Sequence, residues 1–180
     1  SVAFFISTIF LGKADQVFIT IGLCAVIISI LGILDDIFNL DWKTKITGQI
    51  VVILYPLIKL DIFINIESFL KIDVQNYLNL LFSLLWVLLI INSINFIDNM
   101  DGLTVVVSGG ICLQIALIAN YSNLYKVTDI SLILLASLLG FFIYNYPPAK
   151  LYLGDSGTLF VGYVLGFISI IFDWIPTLDS

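Results

Sequence analysis

Long apolar runs separated by short polar segments dominate the chain, and their length is the first structural signal. A helix that spans a bilayer needs roughly 20 mostly apolar residues, with about 17–25 tolerated. By that criterion the pattern predicts an all-α polytopic membrane protein with six complete membrane spans and one partial span. The partial span comes first, and the seven runs are Val2–Leu11, Val17–Leu34, Ile46–Ile58, Tyr77–Ile97, Leu103–Asn120, Thr128–Tyr144 and Thr158–Ile175. In the third run, Pro56 predicts a kink or a stop.

The segment between the third and fourth runs has a different pattern. In Leu60–Asn76, isoleucines at positions 62, 64 and 66 alternate with Phe63, Asn65 and Glu67. This alternation is typical of a short β-hairpin, and an amphipathic surface segment would also fit it. The chain has no fixed-period repeat and no linker, so we treat residues 1–180 as one domain.

Composition agrees with a membrane protein and excludes two other classes. Hydrophobic residues make up 61% of the 180 positions and charged residues 11%, against about 45–50% and 25% in soluble domains. A soluble domain of this size could not bury so much apolar surface. Disorder requires the opposite composition. The chain opens without a methionine or a charged signal-peptide start, so we expect a piece of a longer protein.

Net charge and the lack of histidine exclude nucleic-acid binding and histidine-dependent sites. There are 13 acidic residues against 7 basic ones, which gives a net charge of −6 and no basic surface for nucleic acid. Histidine is absent, so sites that depend on histidine are excluded within these residues. Cys24 and Cys112 each lie inside an apolar run, and we interpret both as small packing residues.

Counting membrane crossings places three acidic clusters on one face. Asp35 and Asp36 end the second span, Asp98 and Asp101 follow the fourth, and Asp155 precedes the seventh. Two crossings separate each cluster from the next, and an even number returns the chain to the same side. The lysines leave the orientation open, since three lie on this face and four on the other. They are Lys43, Lys45 and Lys150 on the shared face, and Lys13, Lys59, Lys71 and Lys126 opposite.

The first cluster pairs two carboxylates at the end of an apolar helix. A helix C-terminus carries partial negative charge, which disfavours Asp35 and Asp36 there, and the apolar surroundings add a desolvation cost. The pair could hold Mg²⁺, accept a proton or anchor Lys43 and Lys45. Alternatively, it only marks the end of the helix.

The second cluster follows the fourth span. Asn92, Asn95 and Asp98 are three residues apart and so share one helical face, and polar residues in membrane helices usually face a cavity or the bundle interior. Asp101 has a simpler alternative as the N-cap of the next helix, with Gly102 forming a tight turn.

The third cluster follows a helix break at Pro147-Pro148. Gly154 and Gly157 flank Asp155 just before the last span. Asp155 or Ser156 could be an N-cap. The alternative is a backbone that approaches a phosphate at a helix N-terminus, with Asp155 holding a hard cation.

Carboxylates, amides and lysines on one membrane face are suited to phosphoryl chemistry. Oxygen ligands favour Mg²⁺ or Mn²⁺ over softer metals. A divalent cation and a lysine together can neutralise a diphosphate during an in-line displacement. The membrane setting indicates that one substrate is a lipid.

At these residues the sequence resembles the polyprenyl-phosphate N-acetylhexosamine-1-phosphate transferases. That family includes undecaprenyl-phosphate GlcNAc-1-phosphate transferases and phospho-MurNAc-pentapeptide transferases. The matching motifs are Leu31–Asp36 with Lys45 and Gln49 downstream, Asn92–Leu103, and Pro147–Gly157. The third motif and residues 98–101 look closer to the GlcNAc type.

The resemblance implies a reaction and its partners. A polyprenyl phosphate attacks the β-phosphate of a UDP-N-acetylhexosamine, giving polyprenyl-diphospho-sugar and UMP, with Mg²⁺ required and Mn²⁺ as an alternative. The product would be a precursor of a cell-envelope polysaccharide such as lipopolysaccharide or teichoic acid. The enzyme would be a multi-pass protein of the plasma membrane, with its site at the cytoplasmic face. A homodimer is one assembly that we consider.

The resemblance also implies roles for individual residues. Asp155 would be the main metal ligand, with Asn95 as a second. Asp35 and Asp36 would position or deprotonate the lipid phosphate, and Lys45 would contact phosphates. The expected catalytic residues are Asp35, Asp36, Lys45, Asp98 and Asp101, and the expected substrate-binding residues are Asn92, Asn95, Asp101, Gly102 and Lys150.

Two features depart from the family. Its N-terminal spans and its C-terminal part, with a histidine-containing cytoplasmic segment, have no counterpart in these 180 residues. An inactive paralogue is therefore one alternative. A transporter is another, but the acidic residues lie at one face and helix centres such as Leu84–Leu89 are apolar, whereas a transport path needs polar groups at mid-membrane.

Overall fold

The computed structural model describes residues 16–65 and 76–172, which form six α-helices. They are α1 (Gln16–Phe38), α2 (Trp42–Leu60), α3 (Asn76–Ile97), α4 (Leu103–Tyr121), α5 (Tyr125–Asn145) and α6 (Gly154–Ile171). The helices contain 18 to 23 residues, so each is about 27–35 Å long at 1.5 Å per residue. This length matches the roughly 30 Å hydrocarbon core of a bilayer. The predicted all-α class is confirmed for the described ranges.

Five of these helices, rather than six, are long and apolar enough to cross a membrane. They are α1, α3, α4, α5 and α6. The remaining helix, α2, contains the predicted span Ile46–Ile58 but also carries Lys43, Lys45 and Lys59, and these charges lower its hydropathy. The expected count of six complete spans is therefore wrong by one. The partial span Val2–Leu11 lies outside the described residues, as do positions 173–175 of the last predicted span.

Helix α2 and the segment after it correct two further predictions. The helix continues through Pro56 to Leu60, so the alternative of a stop at Pro56 is wrong, and its C-cap is Asp61, whose φ is 53° and whose N–H donates to Leu57 O. Residues 62–65 contain no strand, because the Ile64 N–H donates to Ser83 Oγ of α3 (2.8 Å) instead of to a neighbouring strand. The predicted β-hairpin is thus wrong in its described part, and residues 66–75 lie outside the described ranges.

The last helix is the centre of the fold. In α6, twelve of 18 residues are buried, because α1 packs on one side of it and α3 on another. Helices α4 and α5 form a second closely packed pair. The outer faces of the helices expose large apolar side chains such as Leu23, Leu89 and Leu117, as expected for helices in contact with lipid.

Glycines allow α1 and α3 to approach α6 at backbone distance. A Cβ added at Gly162 would lie 2.6 Å from Ile91 Cα of α3, and one at Gly32 of α1 would lie 2.5 Å from Ser156 Cα. Small residues at helix interfaces are a general means of close packing in membranes. These contacts place the first turn of α6 directly against the last turns of α1. Cys24 and Cys112 are both buried and free, as predicted.

Candidate active site

Four side chains from four helices meet at one end of the bundle. The Lys45 ammonium of α2 forms ion pairs with Asp35 Oδ2 of α1 (2.7 Å) and with Asp155 Oδ2 of α6. It also donates to Asn95 Oδ1 of α3 (3.4 Å). We refer to Asp35, Lys45, Asn95 and Asp155 as the Lys45 cluster. The structure thus brings together residues from all three acidic motifs, an arrangement that the count of membrane crossings predicts only if α2 also crosses.

The amide of Asn95 is oriented by a residue that sequence reasoning missed. Asn95 Nδ2 donates to Asp155 Oδ1 (2.7 Å) and to Thr158 Oγ1 (2.8 Å), so its carbonyl oxygen faces Lys45. Thr158 is buried and its hydroxyl also contacts Gly154 O (3.1 Å). The only signal for Thr158 in the sequence is its spacing, three residues after Asp155, which places both on one helical face.

The two adjacent carboxylates of the first motif have different surroundings. Asp35 is buried, and its Oδ1 accepts the Leu40 N–H (2.9 Å) while Oδ2 pairs with Lys45. Asp36 is exposed and lies outside the Lys45 cluster. Its Oδ1 accepts the Asp155 N–H (3.0 Å) and its Oδ2 the Ser156 N–H (3.3 Å).

Asp36 therefore caps α6 from a neighbouring helix. The first N–H groups of a helix have no partner within it, and a carboxylate there is favoured by the helix dipole. The local alternative, with Asp155 or Ser156 as N-cap, is wrong, because the N-cap position is Leu153 and makes no side-chain capping bond. These two hydrogen bonds hold the backbone at Asp155 and thereby help to position the Asp155 carboxylate.

The second motif is tied to the turn between α5 and α6. Asp101 Oδ2 accepts the Ala149 N–H (2.9 Å). Asn145 Oδ1 accepts the Gly102 N–H (2.9 Å) and its Nδ2 donates to Leu151 O (2.9 Å). Gly102, with φ of 75°, is the N-cap of α4, so the N-cap alternative for Asp101 is also wrong. Asp101 and Gly102 instead anchor the proline-containing turn that precedes α6.

Asp98 lies beside the Lys45 cluster without contacting Lys45 in the described hydrogen bonds. Its Oδ1 accepts the Thr104 hydroxyl (2.6 Å). Burial raises the pKa of Asp98 above its usual value, the Thr104 hydrogen bond opposes this, and the nearby negative charge of Asp155 raises the pKa further. Asp98 thus becomes protonated at a higher pH than an aspartate in water does.

Like Asp101 and Gly102, two further predicted substrate-binding residues make no contact with the Lys45 cluster among the described hydrogen bonds and ion pairs. Asn92 is one helical turn deeper in α3, where its Nδ2 donates to Gln49 Oε1 of α2 (2.8 Å) and to Leu88 O (2.8 Å). Lys150 is exposed, and its backbone N–H donates to Tyr144 O (2.8 Å). The structure does not bring the Lys150 side chain into contact with the cluster.

The oxygen atoms around Lys45 fit a hard divalent cation chemically. Two carboxylates and one amide oxygen converge on the ammonium, and Mg²⁺ typically binds one or two carboxylates and fills its other positions with water and substrate phosphates. Within residues 16–65 and 76–172, no group of three or more histidine, cysteine or acidic side chains gathers around one point. The protein alone therefore offers only part of a coordination shell.

The cluster falls within a segment that matches a known family. Residues 18–173 match the model described as "Glycosyl transferase family 4". The chain belongs to this family. The match covers α1 from its third residue onward, the whole of α2 to α6 and every residue of the Lys45 cluster, and it confirms the resemblance seen in the three motifs.

Individual relatives in this family carry two kinds of name. The chain is 35% identical over 156 residues to a "Probable undecaprenyl-phosphate N-acetylglucosaminyl 1-phosphate transferase" of Bacillus subtilis, covering 85% of the chain and 43% of the relative. It is 30% identical over 155 residues to a "Decaprenyl-phosphate N-acetylglucosaminephosphotransferase" of Mycolicibacterium smegmatis, covering 79% and 38%. It is 39% identical over 95 residues to a "Phospho-N-acetylmuramoyl-pentapeptide-transferase" of Lactiplantibacillus plantarum, covering 51% and 29%.

The matched segment thus spans less than half the length of each of these relatives. Family membership and the five apolar helices together make the chain part of a multi-pass membrane protein.

Proposed function

We propose that the protein transfers N-acetylhexosamine 1-phosphate from a UDP-sugar to a polyprenyl phosphate. The observation that carries this proposal is the Lys45 cluster, which gathers one ammonium, two carboxylates and one amide at the end of a membrane bundle. Groups of this kind bind and neutralise phosphates. The name of the Bacillus subtilis relative supports both the lipid phosphate and the phospho-sugar.

The reaction exchanges one phosphorus–oxygen bond for another. An oxygen of the polyprenyl phosphate attacks the β-phosphorus of the UDP-sugar, and the bond from that phosphorus to the oxygen bridging it to the α-phosphate breaks. UMP leaves with the bridging oxygen, and the product is a polyprenyl-diphospho-sugar. Because a phosphate monoester is largely ionised at pH 7, with a second pKa of about 6, orientation of the nucleophile matters more than its deprotonation.

The proposal gives the residues in and around the Lys45 cluster separate roles. Lys45 binds non-bridging phosphate oxygens and balances the charge that develops on them. Asp35 holds the Lys45 ammonium in place until the phosphates arrive, and it orients the lipid phosphate. Asp36 supports this arrangement by fixing the first turn of α6. We assign Asp98 and Asp101 to the nucleotide and the diphosphate. Asn92 is one turn deeper and bonds Gln49, so we assign it no substrate contact.

Asp155 and Asn95 are the residues that would hold Mg²⁺, or Mn²⁺ in its place. Such an ion supplies Lewis-acid stabilisation of the diphosphate. When Lys45 turns toward a phosphate, Asp155 Oδ2 and Asn95 Oδ1 become free to act as ligands. Thr158 keeps the Asn95 carbonyl directed toward this position.

The same proposal includes the membrane face of the site, the fate of the product and the assembly. The site lies at the cytoplasmic face of the plasma membrane, where the polyprenyl chain can extend between lipid-facing helices. The product initiates synthesis of a cell-envelope polysaccharide. A homodimer is compatible with the exposed apolar faces.

A second donor is favoured by one comparison. The Lactiplantibacillus plantarum relative is named a phospho-N-acetylmuramoyl-pentapeptide transferase, so UDP-MurNAc-pentapeptide is the alternative donor for the same chemistry. The donor panel in the following experiment includes it.

The test uses the complete protein in membranes, with polyprenyl phosphate, Mg²⁺ and a panel of labelled UDP-sugars. We expect label from one donor to enter the lipid phase with equal release of UMP, and EDTA to abolish both. Asp155→Asn should abolish transfer while the protein still inserts and binds the UDP-sugar. The matched control is Asp41→Asn, an exposed carboxyl that bonds the Thr44 hydroxyl and is not part of the Lys45 cluster. Near-normal turnover in Asp155→Asn would contradict the metal assignment, and absence of transfer from every donor would contradict the function.

A further inference from the structure

A second polar contact joins α2 and α3 directly beneath the Lys45 cluster. Gln49 follows Lys45 by four residues in α2, and Asn92 precedes Asn95 by three in α3, so each pair shares a helical face. Gln49 Oε1 accepts the Asn92 Nδ2–H (2.8 Å), one helical turn deeper than the contact between Lys45 and Asn95. The same two helices are thus connected by two successive polar contacts.

The orientation of the Gln49 amide is determined by its neighbours. Asn92 Nδ2 donates to the Leu88 carbonyl as well as to Gln49, so the Asn92 atom that faces Gln49 must be the nitrogen. Gln49 therefore presents its oxygen to Asn92 and turns its nitrogen away. That nitrogen is buried and has no hydrogen-bond partner among the described residues, and Gln49 as a whole is 0% exposed.

Stability alone does not account for an amide at this position. A buried N–H group without an acceptor costs free energy, whereas an apolar side chain of similar length would pack there without that cost. The hydrogen bond to Asn92 must therefore serve another requirement. Lys45 reaches its partners through a flexible four-carbon stem, so the position of its ammonium depends on how precisely α2 is held against α3.

We propose that Gln49 is a positioning residue for Lys45. Its hydrogen bond to Asn92 fixes α2 against α3 one turn below the cluster, and this fixes the Lys45 ammonium between Asp35, Asn95 and Asp155. At the preceding position of α2, Gly48 allows Leu31 of α1 to approach, since a Cβ at Gly48 would lie 2.9 Å from Leu31 Cδ2. The role in turnover rests on the proposed function, whereas the placement of Lys45 does not.

The first test measures the environment of Lys45 without any assay of activity. The complete protein in membranes is treated with an amine-acetylating reagent at one pH, and modification of Lys45 is measured by mass spectrometry relative to Lys43, an exposed lysine of the same helix. Gln49→Met should raise this ratio several-fold, because Lys45 leaves its ion pairs. The matched control is Ile53→Met, a fully buried apolar position one turn further along α2, for which the ratio should stay unchanged.

Two results would overturn the proposal. One is an unchanged ratio in both Gln49→Met and Asn92→Leu, which removes the other end of the same bond. The other is an equal rise in Ile53→Met, which would show that any disturbance of α2 releases Lys45. Agreement between Gln49→Met, Asn92→Leu and the double variant supports the proposal, because all three remove one interaction.

Transfer kinetics and thermal unfolding separate positioning from simple destabilisation. Gln49→Met should lower kcat by about 10- to 100-fold, as expected for a displaced catalytic group, with little change in KM for the UDP-sugar and no lower Tm than Ile53→Met. A fall in Tm and kcat together, with unchanged labelling of Lys45, would make Gln49 only structural. If the wild type transfers no sugar but the labelling ratio responds as expected, the proposed function fails and the positioning role stands.

Discussion

Lys45 is the residue on which the charge balance of the site depends. It stands between Asp35 and Asp155 with its side chain 17% exposed. Without it, two carboxylates would face each other in a partly dehydrated space, which favours protonation of one of them. The same ammonium is thus a structural counter-ion in the free protein and a phosphate-binding group in the proposed reaction.

Replacing Lys45 should therefore affect catalysis far more than replacing its neighbour. We expect Lys45→Ala to lower kcat/KM by one to two decades, at about 1.4 kcal/mol per decade, because it removes charge from the developing phosphate. The measurement is steady-state transfer in membranes. Lys43→Ala is the control, since Lys43 is exposed and lies over the Trp42 ring at 5.6 Å. Equal effects of the two substitutions would remove Lys45 from the site.

Among single residues, sequence analysis identified the members of the Lys45 cluster but missed the residues that orient them. Asp35, Asn95 and Asp155 stand out because polar groups at the ends of apolar helices are costly unless they are paired. The role of Lys45 came from the family resemblance of the first motif. Thr158 has no such signal, since threonine is unremarkable in a helix. The capping role of Asp36 depends on α6 starting beside the end of α1, which is a tertiary fact. The catalytic roles of these residues stay predictions.

At the scale of the element, α6 determines where the site forms. It is buried between α1 and α3, and glycines replace side chains where the backbones meet. The apolar runs predicted both ends of α3 and α4 to within one residue but missed the polar end turns of α1 and α6. Helix α1 continues four residues past its predicted end to Phe38, and α6 starts four residues before its predicted beginning, at Gly154. The polar end turns contact other helices, so hydropathy could not reveal them.

The glycine contact between α6 and α3 leads to a direct test of this packing. Gly162→Ala should destabilise the protein by about 1–3 kcal/mol through overpacking, because the new methyl group would lie 2.6 Å from Ile91 Cα. Gly140→Ala in α5 is the control. Its Cβ would meet nothing within 4 Å, and alanine is the better helix former by about 0.8–1 kcal/mol. The two variants should shift Tm in opposite directions in a thermal-unfolding assay. A similar Tm for both would mean that α3 and α6 are not in backbone contact.

At the scale of the whole molecule, the site residues gather at one end of the bundle. Counting crossings predicted this because it needs only the number of spans between motifs. The count of crossings did not require α2 to be apolar along its whole length. Hydropathy alone leaves α2 ambiguous, since its three lysines exclude it from the apolar helices. The parity argument nonetheless depends on α2 crossing the membrane.

Cysteine labelling at both ends of α2 tests that crossing. In oriented membranes, Lys43→Cys and Lys59→Cys should react with a membrane-impermeant maleimide from opposite sides, with Lys43→Cys accessible from the cytoplasm. Both positions are exposed, whereas the native Cys24 and Cys112 are buried. The unsubstituted protein gives the background signal. Labelling of both variants from one side would show that α2 does not cross, and it would invalidate the parity argument.

The backbone contacts of α6 have a consequence for how the site can move. Asp35, Asn95 and Asp155 belong to α1, α3 and α6, and any sliding of these helices would break the contacts at Gly32 and Gly162. Lys45 comes from α2, which packs less extensively on its neighbours. The two carboxylates and the amide therefore belong to one closely packed frame, and the position of Lys45 in it depends on how α2 is held against α3. A displacement of α2 relative to this frame would therefore move Lys45 and leave Asp35 and Asp155 in place.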